Sequence, residues 1–263
     1  MIRLIRSDFY RLLKTKITYI SLAIAFVLPV IMAGLYAGLI ALLTEGDEEA
    51  AEMLGLMINA RTLINTTFSL TNNFGIVLPV FSVIIIMSDI SNGTIRNKIM
   101  IGYKRHEIFA SHFITTFVYC LVTMGVYAGM TLLWSNVILN TTDLTSSEVV
   151  SYIYFYVLGF LSLAVIVGIG CCLSLATLNS AGSIIITLVI TIILGFVASI
   201  LSGFDFPEVT EHILRFIPYV VISIVSYKEI TLVMFLEGLG GILIFAGLLY
   251  GLGTYIFIRR DLK

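Results

Sequence analysis

Charged side chains are what this sequence has least of. They make up 12% of its 263 residues, about half the share usual in a soluble domain. Hydrophobic residues make up 59% of it, and mean hydropathy is +1.06. A chain of this length and balance cannot cover a water-facing surface with polar atoms, so lipid is its solvent. A net charge of −1 gives no support to a nucleic-acid partner or to a polybasic module on a membrane surface. Cysteine is also scarce: Cys120, Cys171 and Cys172 all fall in apolar runs. With two of them adjacent and none in a loop, they read as small buried hydrophobes and not as a disulfide framework.

Catalytic signatures are missing too. There is no G-x-x-x-x-G-K-[ST] loop to cradle ATP phosphates, no G-x-S-x-G elbow and no H-E-x-x-H metal pair. The three histidines (His106, His112, His212) are not expected to form a metal site, because the third falls on the other side of the membrane from the first two. The Glu48-Glu49 pair sits in a hydrophilic loop, with no arginine at the offset an intramembrane glutamate protease requires. Proton or sodium relays place Asp, Glu or His inside the spans. Here the only acidic residue within an apolar run is Glu237, roughly 9 Å of helix rise from its start, from where it can snorkel to the interface. The energy source therefore lies outside this chain. A cleavable signal is not expected either, since the first apolar run is about twice the length of a signal core.

Six long apolar runs remain, at 17–43, 70–88, 109–139, 152–176, 183–202 and 231–258. Each approaches or exceeds the ~20 residues that a helix needs to cross the hydrocarbon. None alternates apolar and polar residues as membrane strands do, so backbone hydrogen bonding forces helices on them. The expected fold is all-α and integral to the membrane, a single transmembrane domain over 1–263. Lys and Arg fix its orientation. Five precede the first span, four lie between the second and third, none between the fourth and fifth, and three follow the last, twelve in all. The opposite side has Arg61, Arg215 and Lys228. Both termini are thus expected in the cytoplasm. The outer side is acidic, with Glu45, Asp47, Glu48, Glu49 and Glu52, then Asp143, Glu148, Asp205, Glu208, Glu211 and Glu229.

Residues 1–16 read as an amphipathic helix on the inner membrane face, or as a basic flank that merely obeys the topology rule. Ile2, Ile5, Phe9, Leu12 and Leu13 form one face, with Arg3, Asp8, Arg11 and Lys14 opposite and Leu4 off the pattern. The segment 204–230, broken by Pro207 and Pro218, reads as a re-entrant helical hairpin or an ordinary outer surface helix. Three small-xxx-small pairs, Gly34/Gly38, Gly125/Gly129 and Gly247/Gly251, suit close helix packing, within the chain or between copies. In the fifth span Ser183, Thr187, Thr191, Gly195, Ser199 and Ser202 share a face. That stripe is either a packed interface of hydroxyls bonded to their own carbonyls or the wall of a path, together with Asn72 and Asn73 of the second span.

The most informative stretch is 89–108, DISNGTIRNKIMIGYKRHEI. Ile95, Ile99 and Met100 recur at helical spacing, Ser91 or Asn92 can cap such a helix, and Gly102 can end it. A compact helix is therefore expected between the second and third spans, with a plain basic turn as the bland alternative.

This stretch resembles the type-2, export-type permeases of ATP-binding-cassette transporters. It has an acidic residue (Asp89), then Asn92-Gly93-Thr94, the basic Arg96 and Lys98, Gly102, a Lys104-Arg105 pair and Ile108. It departs from that pattern at His112, where the family often has lysine. The resemblance extends over the whole chain: amphipathic N-terminal helix, six spans and a proline-broken outer hairpin. It implies a bacterial plasma-membrane permease that dimerises, with a homodimer expected, and binds two cytoplasmic ATPase subunits. Those subunits, not this chain, would hold ATP and Mg. It implies that 91–105 is the coupling helix, with Asn92, Gly93, Thr94, Arg96, Lys98, Lys104 and Arg105 meeting the ATPase. It also implies that the second and fifth spans face the path, through Asn72, Asn73, Ser183, Thr187, Thr191 and Ser199. Small members of this kind include exporters of phenol-soluble modulins, lantibiotics and bacitracin-like peptides. The alternatives are a non-transporting membrane protein that binds a toxin peptide or regulatory partner, and a channel or ion-coupled carrier.

Overall fold

The computed structural model describes residues 1–43, 60–69, 74–139, 146–204, 207–225 and 230–259, and they are built of helices joined by turns. We number these α1 (Ile2–Lys14), α2 (Lys16–Leu43), α3 (Ala60–Asn65), α4 (Phe74–Ser91), α5 (Thr94–Met100), α6 (Arg105–Leu139), α7 (Ser146–Thr177), α8 (Ser180–Ser202), α9 (Glu208–Arg215), α10 (Val220–Val225) and α11 (Leu232–Arg259). Six of them, α2, α4, α6, α7, α8 and α11, are long and apolar enough to cross a membrane. They are the six expected spans, with ends shifted by a few residues.

Burial sorts these six into a centre and a rim. α7 is the most enclosed, with two-thirds of its apolar window buried, against 17% for α2 and for α11. A helix apolar on every side belongs in the middle of a bundle. α6 and α11 pack along α7, α2 lies against α6, and the α4–α8 pair closes the remaining side of α7. The rim helices turn bare aliphatic faces outward, as Leu35, Phe196 and Leu243 illustrate, each at least 60% exposed. In lipid such faces need no cover.

α7 and α8 are joined through Leu178 and Asn179 alone. Leu178 takes a left-handed backbone (φ 55°), and the Asn179 side chain caps α8 by accepting from the Gly182 amide. Thr177 and Ser183 hydroxyls meet across the corner at 2.5 Å. So short a link makes α7 and α8 antiparallel neighbours.

The end of the bundle away from the N-terminus carries two features. Residues 60–69, part of the first outer connection in the sequence reading, pack into the bundle. The Phe68 ring is fully buried among Phe155, Tyr156 and Phe160, and Gly159 makes room for it, since a Cβ there would sit 2.5 Å from the ring. The 204–230 segment forms the hairpin α9–α10. Its corner lies directly on Gly241 of α11, where a Cβ would meet the Phe216 backbone. Ser162 of α7 donates to the Pro218 carbonyl. Arg215 pairs with Glu211 at 3.0 Å and Glu237 at 3.3 Å, and His212 meets Glu237 at 2.7 Å. Glu237, expected to snorkel, is instead held by α9, because a cationic partner at the same depth competes well with water.

The three glycine pairs do not mark close contacts among the described residues. A Cβ at Gly34, Gly38, Gly125, Gly129, Gly247 or Gly251 would meet nothing within 4 Å. Close approach falls at Gly159, Gly238, Gly241 and Gly253 instead. The expected acidic cluster at 45–52, the side chains of Glu148 and Glu208, and Asp143, Asp205, Lys228, Glu229, Arg260 and Lys263 lie outside the described residues, as do 70–73 at the start of the second span.

Candidate functional site

The 89–108 stretch folds as expected in kind and differs in detail. α4 runs on through Asp89 to Ser91, and α5 starts at Thr94 after Gly93, whose φ of 68° is left-handed. Gly93, not Ser91 or Asn92, is the N-cap residue, and no side chain caps this helix. Ser91 Oγ instead donates back to the Ser88 carbonyl at 3.1 Å. Gly102 closes the far end at φ 101°, the conformation that glycine takes at least penalty. α5 is therefore a seven-residue helix hinged by a glycine at each end.

Its two faces are distinct. Ile95 is 3% exposed and packs with Leu4, Ile86, Ile108, Phe109 and Phe257. Arg96, Asn97, Met100, Ile101 and Lys104 are exposed, with Met100 and Ile101 more than 70% so. Met100, grouped with the apolar face in the sequence reading, thus lies on the open side.

Lys98 points inward. It is 6% exposed, and its ammonium donates to Asp8 Oδ1 at 2.6 Å and contacts His112 Nε2 at 3.3 Å. Asp8 Oδ2 accepts from Ser111 at 2.6 Å. Arg11, one turn further along α1, pairs with Asp89 at the end of α4. His112 Nδ1 lies 3.6 Å from the same Asp89 oxygen. A neutral ring that accepts from Lys98 at Nε2 carries its proton on Nδ1, facing Asp89. Two carboxylates thus meet two cations, with α1, α4, α5 and α6 each contributing.

This arrangement corrects the reading of α1. Its protein-facing stripe is Leu4, Asp8 and Leu12, so the off-pattern leucine is a core residue and the aspartate faces inward. Ile2 and Leu13, at 83% and 57% exposed, face away from the protein.

Electrostatics follow burial. Desolvation alone would push the Asp8 carboxyl up, but the Lys98 charge and the hydrogen bonds from Lys98 and Ser111 oppose it, and the carboxyl is held below its ordinary value. At Lys98 burial wins, and the ammonium is drawn below its ordinary value despite Asp8. A cavity of about 10 Å³, lined by Asp8, Arg11, Thr15, Asp89, His112 and Thr116 among others, has space for about one water.

Arg105 has a further role: its Nη1 donates to the Ile258 carbonyl at 2.9 Å. A cation on the last carbonyls of α11 satisfies an orphan acceptor and complements the helix dipole. It also brings the last turn of α11 to the end of the bundle that holds α1 and α5.

The hydroxyl stripe of α8 faces α4 and α7. Ser183, Thr187 and Thr191 are each at most 1% exposed. Ser183, Thr191 and Ser199 bond to carbonyls four residues back, at 2.8 to 2.9 Å. Those three hydroxyls bond back to their own helix, whereas Thr187 Oγ1 is buried without a hydrogen-bond partner among the described residues. Asn72 and Asn73 lie outside the described residues.

A bundle of six helices long and apolar enough to cross a membrane, with a small helix seated at one end, is a polytopic membrane protein. The chain matches the model of the ABC-2 family transporter proteins over residues 4–195, from α1 through most of α8, and belongs to that family. Membership makes it a membrane-embedded transporter component and not a catalytic subunit, and implies association with an ABC ATPase. No curated protein matches the chain.

Proposed function

We propose that this chain is the permease subunit of an ATP-driven exporter that moves a hydrophobic or amphipathic molecule, above all a peptide, out of a bacterial cell. Two such subunits form a homodimer, and two cytoplasmic ATPase subunits, which hold ATP and Mg, dock on it. The N-terminal end of the bundle is the cytoplasmic end, where twelve of the fifteen Lys and Arg residues fall. The α9–α10 hairpin dips into the membrane from outside.

The observation that carries this reading is α5, with a buried underside and an open face of Arg96, Met100, Ile101 and Lys104. An exposed apolar tip flanked by cations is suited to a groove with an acidic rim, where apolar anchors supply affinity and charges supply register. Lys98 is inside the protein, whereas Arg96 and Lys104 are exposed, so among the expected docking cations these two are best placed to meet a partner. Export of an apolar solute is supported by spans with almost no charge and by an acidic outer side without a large capture domain.

Replacing Arg96 with Glu and Met100 with Asp together should abolish co-purification of an ATPase, with membrane insertion unchanged. Retention of the ATPase would remove α5 as the docking element. Deleting the gene should raise sensitivity to an amphipathic peptide. ATP-dependent uptake into right-side-out vesicles would reverse the direction.

A further inference from the structure

We infer that α1 is a splint across the Gly93 hinge, and that it locks α5 to α4 so that the two move as one lever. The Asn92-Gly93 link turns through a left-handed glycine (φ 68°) with open space around it among the described residues, and its amides make short-range turn bonds, Asn92 to the Ser88 carbonyl and Gly93 to the Ile90 carbonyl, both at 3.0 Å. Ile95 seats α5 on the core, and charged side chains on either side of the hinge brace its angle. Before it, Asp89 at the end of α4 is paired with Arg11; beyond it, Lys98 of α5 is paired with Asp8. Asp8 and Arg11 are three residues apart on one helix, so they face the same way and span the hinge as a rigid brace.

The pairs are suited to that role. The side chains of Asp8, Lys98 and Asp89 are 3%, 8% and 10% exposed and that of Arg11 is 31% exposed, so water screens the Asp8–Lys98 pair least, and either of its two partners left alone would be a buried, uncompensated charge. Ser111 holds the other Asp8 oxygen at 2.6 Å, and His112 lies between Lys98 and Asp89. Hinges absorb motion where backbone torsions are free. A brace over such a point turns a swivel into a transmitting joint. α4 in turn packs along α8 and α7, so a push on α5 reaches the spans through Asp89 as well as through the backbone.

The inference rests on the proposed function only in taking α5 as the element that a partner moves. Its test needs the chain alone. Spin labels at Val80 on α4 and at the exposed Asn97 on α5 report the hinge angle in liposomes. The wild-type distance distribution should be narrow. Asp8→Asn with Arg11→Gln should broaden it at least twofold. Lys98→Met, which leaves Arg11 on Asp89, should broaden it less and serves if the double variant does not reach the membrane. Asp8→Lys should broaden it, and adding Lys98→Asp should narrow it again. Distributions as narrow without the brace as with it overturn the inference. In a complex with the ATPase, the double variant should still bind and hydrolyse ATP, while export per ATP falls about tenfold. Unchanged export per ATP also overturns it. Absence of any ATPase partner for the wild type would remove the proposed function and leave the splint standing on the label distances.

Discussion

Lys98 and Asp8 stand ninety residues apart in the chain and meet at 2.6 Å, both almost fully withdrawn from solvent. The pair joins the shortest exposed helix at this end of the bundle to the helix that opens the chain. It also removes one lysine from the open face of the basic loop. Placing two charges there is worthwhile only if their geometry is close to ideal, and a 2.6 Å contact backed by Ser111 meets that condition.

Asp8→Ala or Lys98→Met alone should therefore destabilise the protein by about 3–5 kcal/mol, because each leaves one buried charge without its partner. Asp8→Leu combined with Lys98→Met should cost far less than the sum. Denaturant unfolding in detergent, arranged as a double-mutant cycle, measures the difference. A fully additive cycle would show that the two residues do not interact.

The Asp8 contribution should also depend on pH with a definite sign. Its carboxyl is held below its ordinary value in the folded protein, so the stabilisation is fully present above the unfolded value of about 3.9. It is lost as pH falls through the lower folded value. The stability gap between wild type and Asp8→Asn should be constant from neutral pH to about pH 5 and shrink below about 3.9. Thermal midpoints across that range check this.

Two alanine substitutions in α11 should behave oppositely. At Gly241 the new methyl group meets the Phe216 backbone, so the hairpin must move and about 1–3 kcal/mol is lost. At Gly247 it meets nothing among the described residues, and protomer stability should hold or rise by about 0.5–1 kcal/mol. Melting temperatures give the comparison. A change in oligomeric state with Gly247→Ala would place that glycine between copies.

Cysteine at Thr187 or Thr191, in a background without native cysteines, should resist polar thiol reagents in the conformation described, since each threonine is 1% exposed. Labelling that appears only when an ATPase partner and ATP are added would mean that α8 separates from α4 and α7 during the cycle. Rapid labelling of the chain by itself would contradict the packing described.

The six spans, and the helix between the second and third of them, are readable along the chain because their causes are local. Twenty apolar residues must form a helix in lipid whatever surrounds them, and Gly102 ends α5 through its own backbone freedom. Which face meets which neighbour has a different cause. The period of α1 groups Ile2 with Leu13 and Asp8 with Arg11, but it does not say which group the protein covers. In lipid both sides of the helix are candidates, and burial of Asp8 is decided by Lys98 and Ser111, which arrive from α5 and α6. Close approach at Gly241, where a hairpin corner lands, and open space at Gly247 look the same in one dimension, because a glycine records permission for contact and not its occurrence. Charge pairing and backbone contact over such distances depend on how the helices pack, and only the folded bundle selects them.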